Sequence, residues 1–127
     1  MTNPESPQRR KGAKKLFRSF AAALNGLAVA TNGRGNILIH LCIGCLVVAG
    51  GLFFQATPGE WCILVIMISL VLAMEVMNTA VEKLVDFVSP QYHKQAGIIK
   101  DLSAGAVLIT AFAAVIVGII IFLPKII

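Results

Sequence analysis

Glu75-Val-Met-Asn-Thr-Ala-Val-Glu-Lys-Leu-Val-Asp86 is the stretch that decides how this chain is read, and it closes a long apolar run that begins at Trp61. On a helix advancing 100° per residue, Glu75, Asn78, Thr79, Glu82 and Asp86 fall on one stripe, while Val76, Met77, Val81, Leu84 and Val85 cover the other faces. An ionisable side chain at the centre of a bilayer helix costs roughly 2.5–3.5 kcal/mol on insertion scales. Polar stripes that only join helices in lipid are built of Ser, Thr, Asn or Gln rather than three acids. The stripe is therefore read as a site.

The composition agrees with a bilayer setting. Of 127 residues, 57% are hydrophobic and 13% charged, with a mean hydropathy of +0.85. A soluble domain carries about a quarter of its residues as charges, so one small membrane domain is the natural reading. The net charge of +5 is uneven: Arg9, Arg10, Lys11, Lys14, Lys15 and Arg18 hold six of the eleven bases. Apolar residues follow directly, which fits a segment lying on anionic lipid better than a solvated tail. Cys42, Cys45 and Cys62 all sit in apolar runs and read as small buried hydrophobes. The C-x2-C pair has no second pair to complete a zinc site.

Residues 1–12 read as a disordered basic tail with no signal peptide, and 13–127 as a single membrane domain. Over about 13–30, Leu16, Phe17, Phe20, Leu24 and Leu27 recur at helical offsets with Lys14, Lys15, Arg18 and Asn25 facing elsewhere, predicting an amphipathic helix on the membrane surface. Thr31–Asn36 is a turn by composition. Three spans are expected over about 37–54, 61–88 and 99–123, with Ser89-Pro90 and Pro124 as stops. His40, alone near the start of the first span, reads as a packed or interfacial side chain. Seven basic residues precede the first span, none lies in the 55–60 loop, three lie in 83–100 and Lys125 ends the chain. The positive-inside rule then puts the amino terminus and the second loop in the cytoplasm. Glu75, Glu82, Asp86, Lys100 and Asp101 gather at that interface.

Carboxylates hold Mg²⁺ one or two at a time, with phosphates and water completing the octahedron. Phosphoryl transfer needs that metal, a cation on the phosphates and a base for the attacking hydroxyl. Glu82 and Asp86, one turn apart, suit metal and nucleotide; Lys100 suits phosphate oxygens. Glu75, deepest in the apolar region, suits a general base for a lipid hydroxyl. There is no Walker or kinase-type Gly-rich loop, so a nucleotide site here is of another design.

Glu75-x2-Asn78-Thr79-Ala80-x-Glu82-x3-Asp86, then Ser89-Pro-x-Tyr92-His93 and Lys100-Asp101-x2-Ala104-Gly105-Ala106-Val107, resemble the small integral-membrane prokaryotic diacylglycerol kinase and undecaprenol kinase family, from Phe17 to the end of the chain. The resemblance implies an all-α membrane protein of the bacterial inner membrane, with an amino-terminal surface helix and three transmembrane helices. It implies a homotrimer with shared active sites, and MgATP-dependent phosphorylation of a membrane lipid alcohol, with no nucleic-acid partner. On the matching positions Glu75 is the catalytic base and Glu82 the metal ligand. Lys15, Asn78, Glu82, Asp86, Gly97, Lys100 and Asp101 line the nucleotide site.

One position departs from the family pattern. Where the family carries a metal-holding Glu ahead of the first span, this chain reads Arg34-Gly35-Asn36-Ile37-Leu38-Ile39-His40. An Arg contacts phosphate but does not bind Mg²⁺. The Asn36-x3-His40 pair and the Ala104–Val107 run look more like undecaprenol kinases than like enteric diacylglycerol enzymes. The rivals are a catalytically impaired family member, for which Arg34 speaks, a non-enzymatic proton-relay or structural membrane protein, and a pore-forming lysis protein.

Overall fold

A computed structural model describes the backbone of residues 7–32 and 36–127 and the side chains of 12–32 and 36–127. Arg34 and the side chains of Arg9, Arg10 and Lys11 lie outside the described residues. Among the described residues there are four helices and no strands: α1 (Pro7–Thr31), α2 (Ile37–Phe53), α3 (Pro58–Val88) and α4 (Lys94–Ile126). Helices α3 and α4 are long and apolar enough to cross a membrane. The 17 residues of α2 span about 25 Å, the short end of what a bilayer core needs.

The helices pack through stripes at intervals of seven, the spacing of helices crossing at a shallow angle. On α3 the buried residues include Leu64, Val71, Asn78 and Val85, with Glu75 beside them. On α4 they are Val107 and Ile121. On α2 they are Ile37, Gly44 and Gly51. Small residues there let backbones approach, as expected in lipid, where apolar burial gives no drive to associate. A Cβ on Gly51 would stand 2.8 Å from the Trp61 ring, and one on Gly44 3.3 Å from Ile68. The lines of contact are thus set by two glycines on α2 and by an α3–α4 hairpin.

The elements start and stop for local reasons. Thr57 caps α3 in a capping box: its hydroxyl accepts from the Glu60 N–H at 3.3 Å, and Glu60 accepts from the Thr57 N–H at 2.7 Å. Ser89, kept out of the helical region by Pro90, ends α3 and donates its N–H to the Val85 carbonyl. Helix α2 ends in a Schellman arrangement, with Ala56 N–H on the Gly51 carbonyl and Gln55 N–H on that of Leu52. Gln55 accordingly takes a positive φ of 51°.

Several bounds differ from the sequence reading. Helix α1 begins at Pro7 rather than near residue 13, since proline suits a first helical turn. Helix α4 begins at Lys94 rather than 99, because the His93 side chain caps it by accepting from the Gln95 N–H. Pro124 does not stop α4, which runs to Ile126; in a last turn a proline removes one hydrogen bond and little else. The three cysteines are exposed on the helix surfaces rather than buried.

Two ion pairs pin the α3–α4 hairpin. Lys100 pairs with Asp86 at one end, and Lys125 Nζ lies 3.1 Å from Glu60 Oε2 at the other. Glu60 and Asp86 are separated along the helix axis by about 39 Å, more than the roughly 30 Å of a hydrocarbon core. The two pairs bracket the apolar stretch.

Candidate active site

The polar stripe of α3 lies on its packed face, at the end of the hairpin that carries the Lys100–Asp86 pair. Glu75, Asn78 and Thr79 are 2%, 7% and 6% exposed. Thr79 donates its hydroxyl to the Glu75 carbonyl at 3.1 Å, an interaction within one helical turn that leaves the Glu75 side chain to find partners elsewhere. It finds one across the fold: the Asn36 main-chain N–H donates to Glu75 Oε1 at 2.7 Å. One turn on, Asn78 Nδ2 donates to Glu82 Oε1 at 3.2 Å. Asn78 Oδ1 is buried with no partner among the described residues. Such an acceptor costs about 1–3 kcal/mol if left unpaired, and water, an ion or a ligand satisfies it in a native site.

Glu82 is half-buried and Asp86 exposed, so the stripe rises from the packed interior to the surface. Lys100 reaches Asp86 from the seam of α4, which joins the α4 part of the expected site to the α3 part. Gly97 is exposed in the first turn of α4, with open space where a Cβ would be, and Asp101 is exposed beside Lys100. Lys15 is exposed on α1, outside the hydrogen bonds and ion pairs that join the stripe among the described residues. Of the described part of α1, only Ala30 is buried, and Leu16, Phe17, Phe20, Leu24 and Leu27 all stand exposed, the apolar face expected of a surface helix.

Two features of the site have no counterpart in the sequence reading. The first is the Asn36 main-chain donor. Its trace in the sequence is an α2 start with no acid in the first turn, a helix end in need of a partner. The second is an apolar cleft of about 220 Å³ between α2, α3 and α4, lined by Ile43, Gly44, Leu64, Val71, Ala114 and Phe122 among others. His40 is the one polar side chain among its lining residues. It stands one turn along α2 from Asn36, as Val71 stands one turn along α3 from Glu75. The lining thus ends one helical turn short of Glu75, which is not part of it.

The model of the family described as prokaryotic diacylglycerol kinase matches residues 21–122. The chain belongs to the prokaryotic diacylglycerol kinase family. Within that span fall Glu75, Asn78, Glu82, Asp86, Gly97, Lys100 and Asp101, while Lys15 precedes it. The chain is 32% identical over 121 residues to an undecaprenol kinase of Bacillus subtilis, covering 95% of this chain and 98% of that protein. It is 38% identical over 113 residues to a diacylglycerol kinase of Synechocystis, covering 88% of this chain and 65% of that one. To a diacylglycerol kinase of Helicobacter pylori it is 31% identical over 111 residues, covering 86% and 85%. Similarity to relatives named for either lipid follows the family as a whole.

Proposed function

We propose that this chain is a MgATP-dependent kinase of a membrane lipid alcohol, undecaprenol or diacylglycerol, acting at the cytoplasmic face of a bacterial inner membrane. The observation that carries the reading is the buried Glu75 carboxylate on the same face of α3 as the Asn78–Glu82 pair, at the end where Lys100 meets Asp86. A carboxylate one helical turn beyond an apolar cleft is placed to meet a hydroxyl whose tail lies in lipid. Glu75 takes the hydroxyl proton as the oxygen bonds to the γ-phosphorus of ATP and the bond to ADP breaks. Asn78, Asp86, Gly97, Lys100 and Asp101 form the nucleotide side of the site. Lys15 joins them if α1 lies over it.

The donor set fits Mg²⁺. Glu82 would supply a carboxylate and Asn78 Oδ1 a buried oxygen that has no partner among the described residues. That is the provision of a site which holds Mg²⁺ jointly with substrate phosphates. Bound there, the ion would neutralise charge on the phosphates. Three spans per chain, a cytoplasmic amino terminus and a homotrimer complete the reading. In that trimer Ile63, Leu70, Met77 and Leu84, exposed at intervals of seven on α3, would form the seam between copies.

The test is phosphate transfer in lipid–detergent micelles with Mg²⁺, offering undecaprenol and diacylglycerol separately. Product from one lipid, lost in Glu75→Gln, supports both reaction and substrate. No product from either, with ATP still bound, favours the second reading, a catalytically silent family member, to which Arg34 in place of an acid points. Turnover restored by Arg34→Glu would then assign the loss to that position.

A further inference from the structure

The contact between Glu75 and the start of α2 does more than bury a charge. Helix α3 shows what a local helix start looks like in this chain: Glu60, within the same helix, accepts from the N-cap N–H of Thr57 at 2.7 Å. Helix α2 has no acid in its first turn, and its N-cap Asn36 makes no side-chain capping bond. Its N-cap N–H instead donates to Glu75, 39 positions away, also at 2.7 Å. The same capping geometry is thus supplied from across the fold by the buried Glu75 carboxylate. An anion is favoured at a helix N-terminus by the aligned peptide dipoles. A carboxylate held by one oxygen has lost the freedom to rotate away, and its other oxygen keeps a fixed direction.

We propose that the main-chain N–H of Asn36 is a positioning group for Glu75, holding Oε1 so that Oε2 is presented to the lipid hydroxyl. The proposal rests on the reading of Glu75 as the base and deepens it. It makes the entry of α2 part of the catalytic apparatus through its backbone, where no side-chain scan would find it. It also explains why α2 starts against α3 at this level of the bundle, with Ala30 and Ile37 buried nearby in sequence on either side.

The backbone donor can be removed alone. Asn36 has φ −78°, within the range of a proline ring, so Asn36→Pro deletes the N–H while keeping that angle. Asn36→Ala deletes the side chain and keeps the N–H. In the full-length chain, Asn36→Pro is expected to lower kcat by about tenfold to a hundredfold relative to Asn36→Ala, the worth of one charge-assisted hydrogen bond. KM for ATP stays within about twofold between the two, because an interaction acting on the base alone leaves nucleotide binding untouched. Equal kcat in the two variants overturns the proposal. A second readout is independent of turnover and of the folding of either variant: the Asn36 amide proton resonance. It lies downfield in the native chain and moves upfield in Glu75→Gln; an unmoved resonance overturns the contact. The two readings fail separately. Native turnover in Glu75→Gln removes the base, whereas inactive Glu75→Gln together with equal Asn36 variants removes only the positioning role.

Discussion

Glu75→Gln keeps the size of the side chain and an acceptor for the Asn36 N–H but cannot take a proton. Loss of a general base is expected to cost about 10²–10⁴-fold in kcat, with ATP affinity kept. Glu82→Gln acts on a different quantity. It removes charge from the one candidate ligand that Asn78 orients, so the Mg²⁺ concentration for half-maximal ATP binding rises while Glu75 is untouched. Lys100→Ala frees Asp86 and withdraws a cation from the phosphates. Its stability cost is small, since an exposed ion pair contributes about 0–1 kcal/mol, so weaker ATP binding without a lower melting temperature is the expected result. A matching loss of stability would make the pair a structural one. The stripe these residues form was legible in the sequence, because three acids and an amide at offsets of 3, 4 and 7 share one helix face. The Asn36 contact was not: a main-chain N–H carries no residue type, and its partner lies 39 positions away.

At the scale of elements, the Ser89-Pro90 stop followed from composition, while the helix caps and the packing lines did not; the expected turn at Thr31–Asn36 falls partly outside the described residues. Ser89-Pro90 ends α3 as read, whereas α4 starts five residues earlier than expected because His93 acts as a cap, a role its residue type does not favour. Which α2 glycines meet α3 (Gly44 and Gly51) and which meets α4 (Gly50, toward Phe122) is set by where those helices lie, and the sequence alone treats them all alike. Gly51→Val tests this directly. Branched bulk beside Trp61 is expected to cost about 1–3 kcal/mol by overpacking, read as a lower melting temperature in micelles, whereas the same change at the open Gly26 costs less. At the far end of the hairpin, the Thr57 N–H and then Lys125 hold the Glu60 carboxyl below its ordinary value of 4.5; Glu60 lies ahead of the apolar run. A carboxyl depressed in the folded state stabilises above its unfolded value and loses that contribution as pH falls through the folded one. Native chain is therefore expected to lose more stability between neutral pH and pH below 4.5 than Glu60→Gln does, by melting temperature; equal losses would show that Glu60 contributes nothing to the pH dependence.

At the scale of the molecule, one protomer brings Glu75, Asn78 and Glu82 onto one stripe and links Lys100 to Asp86, yet leaves Lys15, Gly97 and Asp101 exposed. The homotrimer proposed above would meet through the exposed α3 seam. Replacing Leu70 and Met77 together by Ala thins that seam, and the trimer fraction by native mass spectrometry is expected to fall. An unchanged fraction would put the interface on another face. Family membership was readable from the spacing of a dozen residues; the cleft beside Glu75 was not, since it exists only where three helices separated in sequence meet.

On the function proposed, the α3 stripe transfers phosphate, with Glu75 acting on the lipid and the Asn78–Glu82–Lys100 side on the nucleotide. ATP binding and phosphate transfer, measured in the same reconstituted sample of native chain and of Glu75→Gln, separate these two halves of the site. Equal binding, with transfer confined to the native chain, is the expected result. Transfer by Glu75→Gln at the native rate, or loss of binding along with transfer, would overturn that division of labour.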